Sequence, residues 1–269
     1  MHELLTHPAV LSGLVPFLVA LVIAELFRRL SMSELALFSG FAVTVFIISD
    51  FGVDPFTTTR KLVWLGLGST MVGLVFTPVK TRKFRPILAL AGGIASIWLT
   101  VAVLAEKKPS EGILWGAGGF LFLTWLIYWM DTLRESPLRA ASAATALGLG
   151  CGGAALFSAS ALLGQLGLAA GAAAAALLLL NSFSDMPNGR ALTLPAAVIS
   201  GSVGLLAALT AQLPWYALTA LAAIPLAAKI PVAEKSPLWV QSLLLSALTL
   251  SFAAGAAYLS WQTAGQALR

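Results

Sequence analysis

The stretch Ser49-Asp50-Phe51-Gly52-Val53-Asp54-Pro55-Phe56-Thr57-Thr58-Thr59-Arg60 separates two apolar runs that are too long for a soluble fold. About 130 residues later the chain echoes it as Ser184-Asp185-Met186-Pro187-Asn188-Gly189-Arg190. Both copies read Ser-Asp, then a turn containing proline, then an arginine that opens the next apolar run. Read as a duplication, the chain is two related halves, 1–136 and 137–269, and the connectors are corresponding parts. Ala105-Glu106-Lys107 and Ala233-Glu234-Lys235 repeat at a similar offset and in the same order.

Composition agrees with the long apolar runs. Of 269 residues, 59% are hydrophobic and 10% charged, with mean hydropathy +0.92. A soluble domain carries about 25% charged residues, so this chain lacks the groups to cover itself with water. Its solvent is lipid. The net charge of +5 comes from basic residues in short connectors, the topogenic pattern of a membrane protein. That distribution argues against a nucleic-acid partner and makes the lipid bilayer the expected one.

Working outward from the two connectors, ten apolar runs approach the 17–25 residues of a membrane-crossing helix. They cover about 9–27, 34–50, 61–79, 86–105, 112–130, 140–163, 166–181, 191–212, 215–230 and 238–261. The seventh and ninth are short, and Gly164-Gln165 reads as the turn before the seventh. Backbone groups in lipid must bond internally, so every run is assigned to helix. The predicted fold is an all-α integral membrane protein of about ten transmembrane helices. Five helices per half invert the second copy, which gives an inverted internal repeat.

Lysine and arginine set the orientation. Eleven fall in the connectors on one side and five on the other, Arg60, Lys61, Lys107, Lys108 and Arg269. The richer side is expected to be cytoplasmic, with both termini outside, in a bacterial inner membrane. Trp98 and Trp125 fit neither interface in this frame.

Few residues carry obvious chemistry. Cys151 is the sole cysteine, which precludes a disulfide within one chain, and both histidines, His2 and His7, precede the first run. No phosphate-binding loop, zinc motif or Ser-His-Asp set is present. The expectation is a protein that is not an enzyme and uses no cofactor or metal. The spacing Gly148-xxx-Gly152 predicts close helix packing. Glu25 precedes Arg28 and Arg29 by three and four residues, which predicts a local ion pair. Pro195 and Pro225 are expected to interrupt the eighth and ninth helices.

Two site sets follow. Asp50, Arg60, Asp185 and Arg190 are candidate gating residues, one acid–base pair per connector. Ser69, Thr70, Ser200 and Ser202 are candidate lining for a solute path, although Ser and Thr hydroxyls usually bond their own helix. The ten-helix layout resembles the drug and metabolite transporter superfamily in architecture, over the whole chain and without a shared motif. No residue role is transferred from that resemblance. Two functions are open: a permease or exporter of a small, weakly polar solute, and a non-catalytic subunit or scaffold of a membrane complex. The second would need membrane-protein partners or a homo-oligomer.

Overall fold

The computed structural model describes residues 7–28, 35–48, 57–79, 81–158, 160–184, 189–232 and 235–267. Among these the chain is helical almost throughout and forms no strand. Helix α1, Val10–Phe27, opens with a π-helical turn over Val10–Leu14. It is followed by α2 (Leu35–Ile48), α3 (Thr58–Phe76), α4 (Phe84–Ala105) and α5 (Pro109–Asp131). Then come α6 (Pro137–Phe157), α7 (Ala161–Asn181), α8 (Arg190–Thr210), α9 (Trp215–Ala227) and α10 (Leu238–Ala267).

Seven of these, α1, α4 to α8 and α10, are long and apolar enough to cross a membrane. The chain is therefore an all-helical membrane protein by length and composition. Helix α9, with 13 residues, reaches only about 20 Å at 1.5 Å per residue. That falls short of a hydrocarbon core of about 30 Å.

Several boundaries differ from the sequence reading. The expected turn at Gly164-Gln165 lies inside α7, which therefore has 21 residues and is not short. The break comes earlier, between Phe157 and Ala161. Gly164 is there for contact: a Cβ on it would overlap the side chain of Leu156. Likewise α8 is continuous through Pro195, and α9 ends two residues beyond Pro225. Helix α3 starts three residues earlier than expected because Thr57 caps it, its hydroxyl accepting from the Arg60 amide at 3.4 Å.

Helix α8 is the axis of the bundle. Every residue from Arg190 to Leu209 is buried, enclosed mainly by α3, α5, α6 and α7. A helix apolar on all sides belongs in such a position. The tightest pairing is α6 on α7, and glycine makes it possible. A Cβ on Gly152 would come within 2.5 Å of the Leu168 amide nitrogen, and one on Gly167 within 2.6 Å of Gly152 Cα. Gly148 and Gly171 face each other just as closely. In lipid no hydrophobic effect drives helices together, so backbone approach of this kind supplies much of the attraction.

The helices of the two proposed halves are interleaved: α1 and α2 pack on α7, while α3 and α5 pack on α8. Each proposed half packs its first two helices together, α1 on α2 and α6 on α7, and its last two together, α4 on α5 and α9 on α10. The contacts of α5 with α8 and of α10 with α6 have no packed equivalent among the described residues. At one end, Glu25 and Arg28 form the expected pair at 3.1 Å, both about half exposed.

The α6–α7 packing separates two adjacent glycines. Gly152→Ala should destabilise the protein, because its Cβ meets backbone. Gly153→Ala should be neutral or stabilising by up to about 1 kcal/mol from helix propensity, because its Cβ meets nothing closer than 3.8 Å. Thermal unfolding of the two variants in one detergent checks this.

Candidate functional site

Arg190 is the first residue of α8 and only 1% exposed. It is a buried charge. Its Nε donates to Asp131 Oδ1 at 2.7 Å, and Nη2 lies 3.5 Å from Oδ2. Nη1 donates to the carbonyls of Phe76 and Val79 at 2.7 and 2.6 Å. Phe76 ends α3, so this guanidinium caps the C-terminal turn of that helix, where the Phe76 carbonyl also accepts from the Val79 amide at 3.1 Å. The approach depends on Gly73, where a Cβ would come within 2.6 Å of the Arg190 carbonyl oxygen. The Phe84 ring covers the other side, 5.2 Å from Arg190 Cζ.

Asp131, the last residue of α5, is shared. Arg85 Nε donates to its Oδ2 at 3.1 Å, and Arg134 Nη1 lies 3.9 Å from the same oxygen. Arg134 also reaches the Val79 carbonyl at 3.3 Å and Glu135 at 3.5 Å. Each of these three elements carries the wrong sign for its own helix. An acid sits at the C-terminal end of α5, and bases sit at the N-terminal ends of α4 and α8. Pairing across helices reverses those three penalties at once. The cluster ties α3, α4, α5 and α8 together at one end of the bundle.

The same end carries further cations. Arg139 Nη1 donates to the carbonyls of Ala228 and Ile230 at 2.7 and 2.9 Å, fixing the turn after α9. Between those carbonyls, Lys229 places Nζ 4.2 Å from the Trp129 ring centroid. Burial pushes the Lys229 ammonium below its usual pKa, and the charge of Arg85 adds to the effect.

Above the cluster the helices part. Helices α3 and α4 pack sparingly on each other, leaving a cleft of about 380 Å³. Trp64, Gly68 and Ser69 line one wall, Ala91, Ala95 and Trp98 the other, with Leu194 and Val198 of α8 as floor. Toward the ion cluster, Phe76 of α3 and Phe84 of α4 meet with ring centroids 4.5 Å apart. Lys61, 5.2 Å from the Trp98 ring centroid, stands at the opposite end. This accounts for a tryptophan that fitted neither interface. Trp125 has a different partner: its Nε1 donates to the Ala222 carbonyl at 3.0 Å.

The candidate solute-path hydroxyls are not gathered together. Ser69 borders the cleft, but its Oγ donates to the Gly66 carbonyl at 2.6 Å, and Thr70 shares that acceptor at 3.4 Å. Ser200 and Ser202 are fully buried on α8, and among the described residues their hydroxyls meet no hydrogen-bond partner. Of the candidate gating residues, Arg60 is half-buried in the first turn of α3. Asp50 and Asp185 lie outside the described residues, so only the two arginines of the connector reading are located. Sequence reasoning missed Asp131 as a partner, because the two residues are 59 positions apart on helices with no sequence link. The available signal was an acid at the end of an apolar run, facing a surplus of arginines.

Among the described residues, no group of His, Cys, Asp and Glu converges as a metal would require. The chain matches no protein-family model and no curated protein sequence.

The ion cluster predicts a sharp contrast between two acids. Asp131→Asn leaves buried guanidiniums uncompensated and should cost about 3–5 kcal/mol. Glu25→Gln breaks only a half-exposed pair, worth about 0.5 kcal/mol. Thermal midpoints of the purified variants, with the fraction recovered as monodisperse protein, measure the difference.

Proposed function

We propose that this chain is a membrane permease or exporter whose cargo is small, apolar or weakly polar, and enters sideways from the bilayer. The observation that carries this reading is the α3–α4 cleft. Its volume falls in the range of small-ligand sites, about 300–1,000 Å³. Its walls are apolar, and it opens where α3 and α4 face lipid. Its floor is the central helix, so a molecule in the cleft touches the axis of the bundle. A path of hydroxyls through the centre finds less support, since Ser200 and Ser202 are sealed in packing.

On this reading α4 and α5 move as one hairpin. Helix α4 packs extensively on α5 and sparingly on α3 and α8. The surplus of lysine and arginine at the Asp131 end supports a cytoplasmic location for it, with both termini outside. The duplicated connectors support an inverted repeat at the level of single hairpins. A scaffold role is favoured by one feature, the glycine-packed α6–α7–α8 core, which leaves little room for motion.

The cleft reading is tested by filling the cleft. A Cβ on Gly68 would meet nothing within 4 Å, so Gly68→Leu adds a side chain to the cleft at little structural cost. Proteoliposomes should pass a weakly polar lipophilic solute faster than protein-free liposomes. Gly68→Leu should return the rate to the liposome baseline with an unchanged thermal midpoint. Equal flux through parent and variant would rule out the cleft as the path, and a stable partner retained in gentle detergent would favour the scaffold.

A further inference from the structure

The inner end of α5 carries a cation pair with too few acids. Arg85 and Lys229 stand over adjacent aromatic rings: Arg85 Cζ is 5.8 Å from the Tyr128 centroid and Lys229 Nζ 4.2 Å from that of Trp129. The two rings meet edge-on with centroids 5.6 Å apart. Arg85 spends only its Nε on Asp131. Among the described residues its two terminal nitrogens make no hydrogen bond to protein, and Lys229 makes no ion pair. Asp131 is already committed to Arg190, and Glu135 lies beside Arg134.

The position is built. Arg139 holds the carbonyls on either side of Lys229, which fixes the turn that presents the ammonium. Trp125 packs on Trp129 with centroids 5.4 Å apart and ties α5 to α9 through the Ala222 carbonyl. The result is a rigid aromatic platform flanked by a guanidinium and an ammonium, at the level where apolar helices meet the membrane interface. Tyrosine and tryptophan favour that level.

We propose that Arg85 and Lys229 form a binding site for the phosphate headgroup of an anionic phospholipid in the adjacent leaflet. The guanidinium's free edge suits phosphate oxygens, and the ammonium adds a second point charge. The apolar faces of Tyr128 and Trp125 receive the upper part of an acyl chain. Basic pockets between membrane helices recognise anionic headgroups in this way. The site lies on the α5–α9 side of the bundle and does not depend on the cleft carrying cargo.

The test uses the full chain, with phosphatidylglycerol and phosphatidylcholine as probes in native mass spectrometry. Phosphatidylglycerol should be retained in preference. Lys229→Gln should weaken that preference roughly fivefold, the share of one basic residue near the surface. Lys229→Arg should keep it, and Lys107→Gln at the opposite end should leave it unchanged. In the unaltered protein, phosphatidylglycerol with a photoreactive headgroup should label residues 128–131 or 228–230 rather than 106–108. Equal retention of the two lipids, or an unchanged preference in Lys229→Gln, would overturn the proposal. So would displacement of the lipid by millimolar inorganic phosphate, which would make this a site for the free anion.

Discussion

One carboxylate organises the basic end of this protein. Asp131 receives Arg190 from α8 at 2.7 Å and Arg85 from α4 at 3.1 Å, and Arg190 in turn caps the end of α3. A charge buried in a membrane protein is costly unless it is paired. Here the pairing also sets geometry, because the chain segments carrying the charges are far apart in sequence. The three elements meet only when the ends of α4, α5 and α8 lie at the same height. Alternative registers of these helices would strand a guanidinium in a low-dielectric site.

Away from that end, close packing takes over. Helices α6 and α7 approach through glycine, α8 is enclosed on every side, and serine and threonine mostly bond their own helices. A few hydroxyls do cross between helices: Ser142 to Thr249 at 2.9 Å and Ser182 to Ser242 at 2.7 Å. Both hold α10 against the core. The α4–α5 hairpin is attached differently, through the ion cluster at one end and α5 packing along its length. The cleft beside α3 is a consequence of that uneven attachment. A rigid core and a loosely flanked hairpin are the combination that the proposed lateral entry of a solute would need.

Class and element positions were legible because apolar run length responds to the bilayer, a strong and simple constraint. Close packing at Gly148 and Gly152 was legible for the same kind of reason, since small residues four apart share one face. The Gly164-Gln165 turn was misplaced because glycine marks both turns and helix contacts, and only the neighbour, here Leu156, distinguishes them. Pro195 was read as a break, yet the helix runs on through it, buried on all sides. Arg190 was singled out for its place in a repeated connector. Its partner was invisible because no local rule links it to Asp131.

The central claim is that Asp131 and Arg190 act as one unit in holding the helix ends together. A double-mutant cycle on global stability measures this directly, with Asp131→Leu, Arg190→Leu and the double variant unfolded under one set of conditions. If the account is right, the double variant is more stable than the sum of the single losses allows, with a coupling of about 2–3 kcal/mol. Additive losses would show that the two residues contribute independently, and would contradict it.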